Sequence, residues 1–404
     1  MIRVGVFFDG TGNNKWNDTL IDDGSVSNIA KLHTLYEASG YITLYAEGIG
    51  TQNYKRGNPL NKTQIQSIQN GEVSRIKYYD KLGLAIGSGS KKIVKKKINE
   101  LRKIIDSNTA EEIIVDVYGF SRGATKARDF INKIREKYAG TKHSNIFGFV
   151  GLFDTVASMG IRGPINIGYN LNLNSESAKK IVHIVSRDEK RVNFPLESIL
   201  TKDEYKEYET DNEYTVELNN IEEIKRIGVH ADIGGGYGKY DSTRKLIGKK
   251  KKLETVYQDR NARQTLARIV ELHNEANLND ISIEYRHEKR PSSLNDYDIY
   301  AYDIEDRNIE YGLSNVYLNL MYKKIRDFNV ELVGIDELGS TYDGYSHYKQ
   351  PNSVNDDYVH ISSSDYWYDR PFADILANSS EWDGERDIYY NEPSDAIWTL
   401  FISG

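Results

Sequence analysis

Residues Glu112 to Tyr118 are dominated by isoleucine and valine, and they pass without a spacer into Gly119-Phe120-Ser121-Arg122-Gly123. An amphipathic helical period follows from about Ala124 to Tyr138. A strand that turns into a helix within five residues leaves few architectures open, because the second element must pack back on the sheet that holds the first. The same alternation recurs along the first 235 residues. Val4 to Phe8 runs into Asp9-Gly10-Thr11-Gly12-Asn13-Asn14, and Ile42 to Ala46 precedes Gly48 and Gly50. Ile146 to Phe153 ends at Asp154-Thr155, and Ile224 to Val229 ends at His230-Ala231-Asp232 before three glycines. Between them, Ile93, Val94, Ile98, Leu101, Ile104 and Ile105 form one face of a lysine-rich helix. The pattern predicts an α/β fold with a mostly parallel central sheet flanked by helices.

The character changes near residue 240. Lys249 to Lys252 is a basic run, and of the 30 tyrosines fifteen fall between Tyr285 and Tyr390. We expect a core over 1–240, a polar, tyrosine-rich insertion or cap over 241–312, and a return to the core over 313–404. The helical period at Val316, Leu320, Met321 and Ile325 marks that return. Tyrosine enrichment fits half-buried β structure, or an amphipathic surface that meets lipid or a partner.

Composition closes several routes to function. There is no cysteine, which excludes disulfides, thiol catalysis and cysteine metal sites. A net charge of −7 argues against nucleic acid as a partner. No apolar run reaches the roughly 18 residues of a spanning helix, and the N-terminus reads as a strand rather than a signal peptide. Gly234 to Gly236 lacks the Lys-Ser/Thr ending of a phosphate loop. Asp296, Asp298, Asp303, Glu305 and Asp306 lack EF-hand spacing and read as a solvated loop. Neither a metal nor an organic cofactor is expected.

What remains is nucleophilic chemistry. Gly119-Phe120-Ser121-Arg122-Gly123 is a G-x-S-x-G pentapeptide in the strand–turn–helix context that such a nucleophile requires. The helix start supplies amide donors for an oxyanion. Asp9, Gly10, Thr11 and Arg122 are the expected oxyanion or substrate-binding set. Of the eight histidines, His183 lies in an apolar run and reads as a satisfied core residue, His33 and His143 lie in helical or loop contexts, His273 and His287 have no supporting pattern, and His230 and His360 are the serious candidate bases. Two acids, Asp154 and Asp232, close strands. The order serine, acid, histidine favours Ser121, Asp232 and His360. Asp154 and His230 are the competing pair. His230 and Asp232, two apart at a strand end, would share a face.

Four motifs then occur in order: Phe7-Phe8-Asp9-Gly10-Thr11-Gly12-Asn13, Gly119-Phe120-Ser121-Arg122-Gly123-Ala124, Phe153-Asp154-Thr155-Val156-Ala157-Ser158, and Gly228-Val229-His230-Ala231-Asp232-Ile233-Gly234-Gly235-Gly236-Tyr237. Together they resemble the α/β-hydrolase domain of the first family of type VI secretion phospholipase effectors. Ser25 to Ile29, His183 to Arg191 and Tyr358-Val359-His360 resemble further segments of that family. The resemblance spans 1 to about 240 and resumes near 313 to 370. It implies an α/β-hydrolase-like serine lipase or esterase, hydrolysing phospholipid acyl esters with phospholipase A1 or A2 chemistry. It also implies a secretion spike protein and a cognate immunity protein as partners, a phospholipid membrane surface as substrate, and delivery from the cytoplasm into the periplasm of a rival bacterium. Two other functions stay open: an esterase for small soluble or polysaccharide esters, and an inactive hydrolase-fold binding module.

Overall fold

The apolar runs become strands β1 (Ile2–Phe8), β2 (Ile42–Ala46), β3 (Ile113–Phe120), β4 (Phe147–Phe153) and β5 (Lys180–Ser186) in a computed structural model of the chain. Further strands are β6 (Leu196–Glu197), β7 (Tyr214–Leu218), β8 (Ile221–Arg226), β9 (Ser242–Val256), β10 (Ile283–Lys289), β11 (Tyr297–Asn308) and β12 (Ile388–Tyr389). The helices are α1 (Lys15–Ile21), α2 (Asn28–Ala38), α3 (Lys62–Gln69), α4 (Ser90–Ser107), α5 (Arg122–Lys137), α6 (Lys202–Glu207), α7 (His230–Gly234) and α8 (Leu313–Asp327). The structure describes residues 1–51, 60–70, 72, 89–157, 168–189, 191, 194–207, 213–238, 242–256, 283–289, 297–309, 312–335, 386 and 388–391.

Seven strands hydrogen-bond in the order β2-β1-β3-β4-β5-β8-β7. Every neighbouring pair is parallel except the β7–β8 hairpin at one edge. All residues of β3 and β4 are buried, as strands covered by helices on both faces must be. The two-residue period of β1 sorts its side chains: Val4, Val6 and Phe8 join one core with Leu101, Ile105, Phe130 and Ile134 of α4 and α5. Phe7 points the other way, into a core with Leu32 and Tyr36 of α2 and Leu318 and Met321 of α8. One charge interrupts β3. Asp116 is fully buried, and it accepts Arg3 at 2.7 Å, the Phe149 amide at 2.8 Å and Tyr36 at 3.1 Å, which is how a buried carboxylate is tolerated.

The chain divides into two compact units. One is built on Met1–Asp241 and takes in α8 and β12; the other is built on Ser242–Ile309 and carries an antiparallel sheet in the order β10-β11-β9. In the first unit the carboxyl ends of the parallel strands lie along one sheet edge. Asp9, Ser121 and Asp154 directly follow β1, β3 and β4 there, and Ser186 closes β5. In open parallel sheets that edge is where ligands bind.

Candidate active site

Ser121 is the hinge between β3 and α5, with φ 58° and ψ −130°. An L-residue holds such a conformation only where its surroundings force it, at a cost of about 1–3 kcal/mol. The forcing contacts are visible. The Ser121 amide donates to Phe153 O at 3.0 Å, and its carbonyl accepts from Ala124 at 2.9 Å. α5 presses so tightly on β1 that a Cβ on Gly123 would lie 2.1 Å from Phe8 O. The pentapeptide therefore folds as its residue types predict, with the serine at a strained strand-to-helix turn.

His230 and Asp154 meet beside this turn. His230 Nδ1 lies 2.5 Å from Asp154 Oδ2, and both residues are buried. The imidazole packs on Phe120, the residue before Ser121, with ring centroids 4.7 Å apart, and edge-on to Phe194 at 5.0 Å. The chain carrying His230 approaches Phe120 so closely that a Cβ on Gly234 would sit 2.0 Å from its ring. Nδ1 donating to the carboxylate leaves Nε2 as the basic nitrogen. Burial pushes the His230 pKa down from its ordinary 6.5, although Asp154 opposes the shift. Burial opposes ionisation of Asp154 too, yet Arg386 and then His230 outweigh it and hold the carboxyl far below the usual range.

The acid and base favoured by residue order behave differently. His230 and Asp232 do not share a strand: β8 stops at Arg226, and His230 opens the five-residue helix α7. Two residues along a helix turn through about 200°, so the two side chains leave on opposite sides. Asp232 Oδ2 accepts the Val229 amide at 3.0 Å and caps its own helix start. His360 lies outside the described residues.

The first loop is built around Asp9. Its buried carboxylate accepts the Gly10 amide at 2.8 Å, Ser27 Oγ at 2.7 Å and Tyr45 Oη at 2.5 Å. Burial raises its pKa against those three donors. Ser27 also caps α2, accepting the Ala30 amide at 3.1 Å. Asp9 thus ties β1, β2 and α2 together behind Gly10 and Thr11. Arg122 opens α5, and burial lowers its pKa to about 10.

Of three further partners of the His230–Asp154 pair, Arg386 escapes the sequence reading, while Glu189 and Arg191 enter it only as part of the His183 to Arg191 segment. Arg386, 232 residues beyond Asp154, forks onto its carboxylate at 2.9 and 2.8 Å. Glu189 accepts the His230 amide at 3.2 Å and pairs with Arg191 at 2.9 and 2.8 Å. Burial raises the Glu189 pKa, but Arg191 brings it down to about 2. Arg191 in turn covers the Phe194 ring at 3.5 Å. The Asp-Glu-x-Arg spacing signals the Glu189–Arg191 pair; nothing in the sequence signals Arg386. His183 is a satisfied core histidine, held by Glu223 at 3.0 Å and by the Thr155 amide at 3.1 Å. Among the described residues no group of His, Asp and Glu is arranged to hold a metal, and no helix is long and apolar enough to cross a membrane.

Comparison with known proteins speaks to the family and the fold of the chain. The family described as "T6SS, Phospholipase effector Tle1-like, catalytic domain" matches residues 3–137 and 131–256. The structure of the Tle1 effector bound to the VgrG spike from the type 6 secretion system is similar to this chain with a TM-score of 0.50 and 19% identity, over 91% of this chain and 85% of that one. At that identity the likeness is one of fold. A crystal structure of an uncharacterized protein from Pseudomonas aeruginosa is more distant, with a TM-score of 0.35 and 22% identity over 59% of this chain and 42% of that one. No curated protein matches this chain.

Proposed function

Since this chain belongs to the Tle1-like phospholipase effector family of the type VI secretion system, we propose that it is a serine lipase of phospholipase A type, with Ser121 as nucleophile, His230 as base and Asp154 as orienting acid. The observation that carries the assignment is the 2.5 Å contact between His230 Nδ1 and Asp154, packed against the residue that precedes a strained serine. Asp154 fixes the imidazole so that Nε2 is the proton acceptor. Nε2 takes the Ser121 hydroxyl proton as Oγ attacks the acyl carbonyl, and the proton passes to the leaving alcohol as the tetrahedral intermediate collapses to an acyl-enzyme. Water, deprotonated by the same nitrogen, releases the fatty acid. The developing oxyanion is met by the Arg122 amide at the start of α5 and by the first loop. Gly10 spends its amide on Asp9, so the loop donor in this scheme is Thr11.

The family supports the rest of the scheme. A phospholipid membrane surface is the substrate, a secretion spike protein carries the chain to the periplasm of a target bacterium, and a cognate immunity protein guards the producer. The test is a fluorophosphonate probe with Ser121→Ala beside it. We expect rapid labelling confined to Ser121, and a loss of phospholipid and p-nitrophenyl ester hydrolysis of at least about 10⁴-fold in the variant. An unlabelled Ser121, or an active Ser121→Ala protein, overturns the assignment. Hydrolysis of short soluble esters with intact vesicles untouched would move the substrate, not the mechanism.

A further inference from the structure

Asp154 has more partners than the orientation of one imidazole needs. Its Oδ2 accepts His230 Nδ1 at 2.5 Å, an Arg386 terminal nitrogen at 2.8 Å and Ser186 Oγ at 3.1 Å. Its Oδ1 accepts the other Arg386 terminal nitrogen at 2.9 Å and the Ser186 amide at 3.0 Å. The imidazole and the guanidinium therefore share one oxygen. Arg386 Nε donates to Phe194 O at 2.7 Å, so every nitrogen of the guanidinium is engaged, and the Arg386 side chain is only 8% exposed. Phe194 is also the residue whose ring lies edge-on to His230. Arg386 thus touches the acid directly and braces a wall of the base.

The backbone around Arg386 is anchored as firmly. β12 pairs in parallel with β6, the Ser198 amide donates to Tyr389 O at 2.9 Å, and the Asn391 amide to Leu200 O at 2.8 Å. Arg128, fully buried in α5, donates to Glu197 O at 2.9 Å and to Asn391 Oδ1 at 3.4 Å. The segment that delivers Arg386 is fastened to the same helix that follows Ser121.

Charge adds a second role. A lone carboxylate beside an imidazole favours imidazolium, which cannot accept a proton; a cation on the same oxygen cancels most of that pull. Among the described residues the other charged groups facing His230 are Glu189 and Arg191 from the chain after β5, and these form a pair of their own. On its own element Asp232 turns into the helix cap, and β3 presents Phe120. The base therefore sits between two carboxylate–arginine pairs.

We propose that Arg386 is a positioning residue of the triad, one that clamps Asp154 for His230 and offsets its charge so that the imidazole stays neutral and able to take a proton in mildly acidic surroundings. This rests on the Ser121–His230–Asp154 assignment. The test is kcat/KM for a short p-nitrophenyl ester from pH 4 to 9, with the full chain, Arg386→Gln and Arg386→Lys, each checked for cooperative unfolding. In Arg386→Gln the acid limb should rise by about one pH unit, and kcat on the plateau should fall about tenfold with KM unchanged within about twofold. Arg386→Lys keeps the charge but not the fork, so its limb should stay put while kcat falls. A folded Arg386→Gln with an unmoved limb overturns the proposal. Should Arg386→Gln fail to fold, Arg386→Lys decides alone, because an unchanged kcat would show that the fork positions nothing. A wild-type Ser121 that resists the fluorophosphonate sinks the triad instead, so the two failures are distinguishable.

Discussion

Among the described residues two buried histidine–carboxylate pairs have nearly the same local chemistry, and they differ in what the far side of the imidazole meets. His183 on β5 holds Glu223 on β8, its register partner, at 3.0 Å. Its Nε2 already accepts the Thr155 amide at 3.1 Å and lies 3.0 Å from Thr155 Oγ1. Glu223 is saturated as well, by Ser198 Oγ, the Ile199 amide and Tyr214 Oη, each at 2.9 Å. Threonine, histidine and glutamate line up in triad order, yet the backbone amide occupies the nitrogen that would take a proton, and all three residues are fully buried. His230, by contrast, sits past the end of the sheet, against the turn that carries Ser121. The two pairs thus differ in position: a backbone amide closes one of them within the sheet, while the other lies beyond the strand ends, beside the turn of Ser121.

Three substitutions would break or sharpen this contrast. The largest effect is expected from His230→Ala, which should cost at least about 10⁴-fold in kcat with thermal unfolding little changed; turnover within tenfold of wild type would remove His230 as base and return attention to His360. Next comes His183→Asn, which can still reach Glu223 but not Thr155. Urea unfolding should show a loss of about 3 kcal/mol, because the Thr155 amide is left buried without an acceptor beside a weakened hydrogen bond to Glu223. Its kcat per folded molecule should hold within about tenfold, and a collapse to the His230→Ala level would erase the distinction between the pairs. The smallest change is expected for Asp232→Ala. It removes a helix cap worth about 1 kcal/mol and should leave kcat within about threefold, whereas a loss of 10³-fold or more would restore Asp232 as the acid.

Much of this architecture is legible in the chain itself. The β1 and β3 runs declare themselves through valine, isoleucine and phenylalanine despite Arg3 and Asp116 within them, and the elbow through glycines that only a steep turn requires. At the proposed triad, residue order and the described geometry favour different pairs, for a local reason. His230-Ala231-Asp232-Ile233-Gly234 follows an apolar run and carries no helix signal longer than one turn, so it reads as the end of a strand. Made helical, it separates the two side chains that a strand would align. Arg386 is illegible for a different reason: its partner is 232 residues away, and a single arginine among acidic and tyrosine-rich neighbours has no period or spacing to mark it. Glu223 is hidden likewise, being one charged residue among several in β8 until pairing with β5 sets it opposite His183.

The distance between Asp154 and Arg386 also sets an order in time. A ribosome adds about 5–20 residues each second, and the N-terminal part of a chain can fold while the remainder is still being made. The 232 residues from Asp154 to Arg386 are therefore added over about 10–50 s, and only then does the guanidinium that clamps Asp154 exist. Through that interval the Asp154 carboxylate has no guanidinium to pair with, so this contact closes only after the strands on either side of Asp154 have been made.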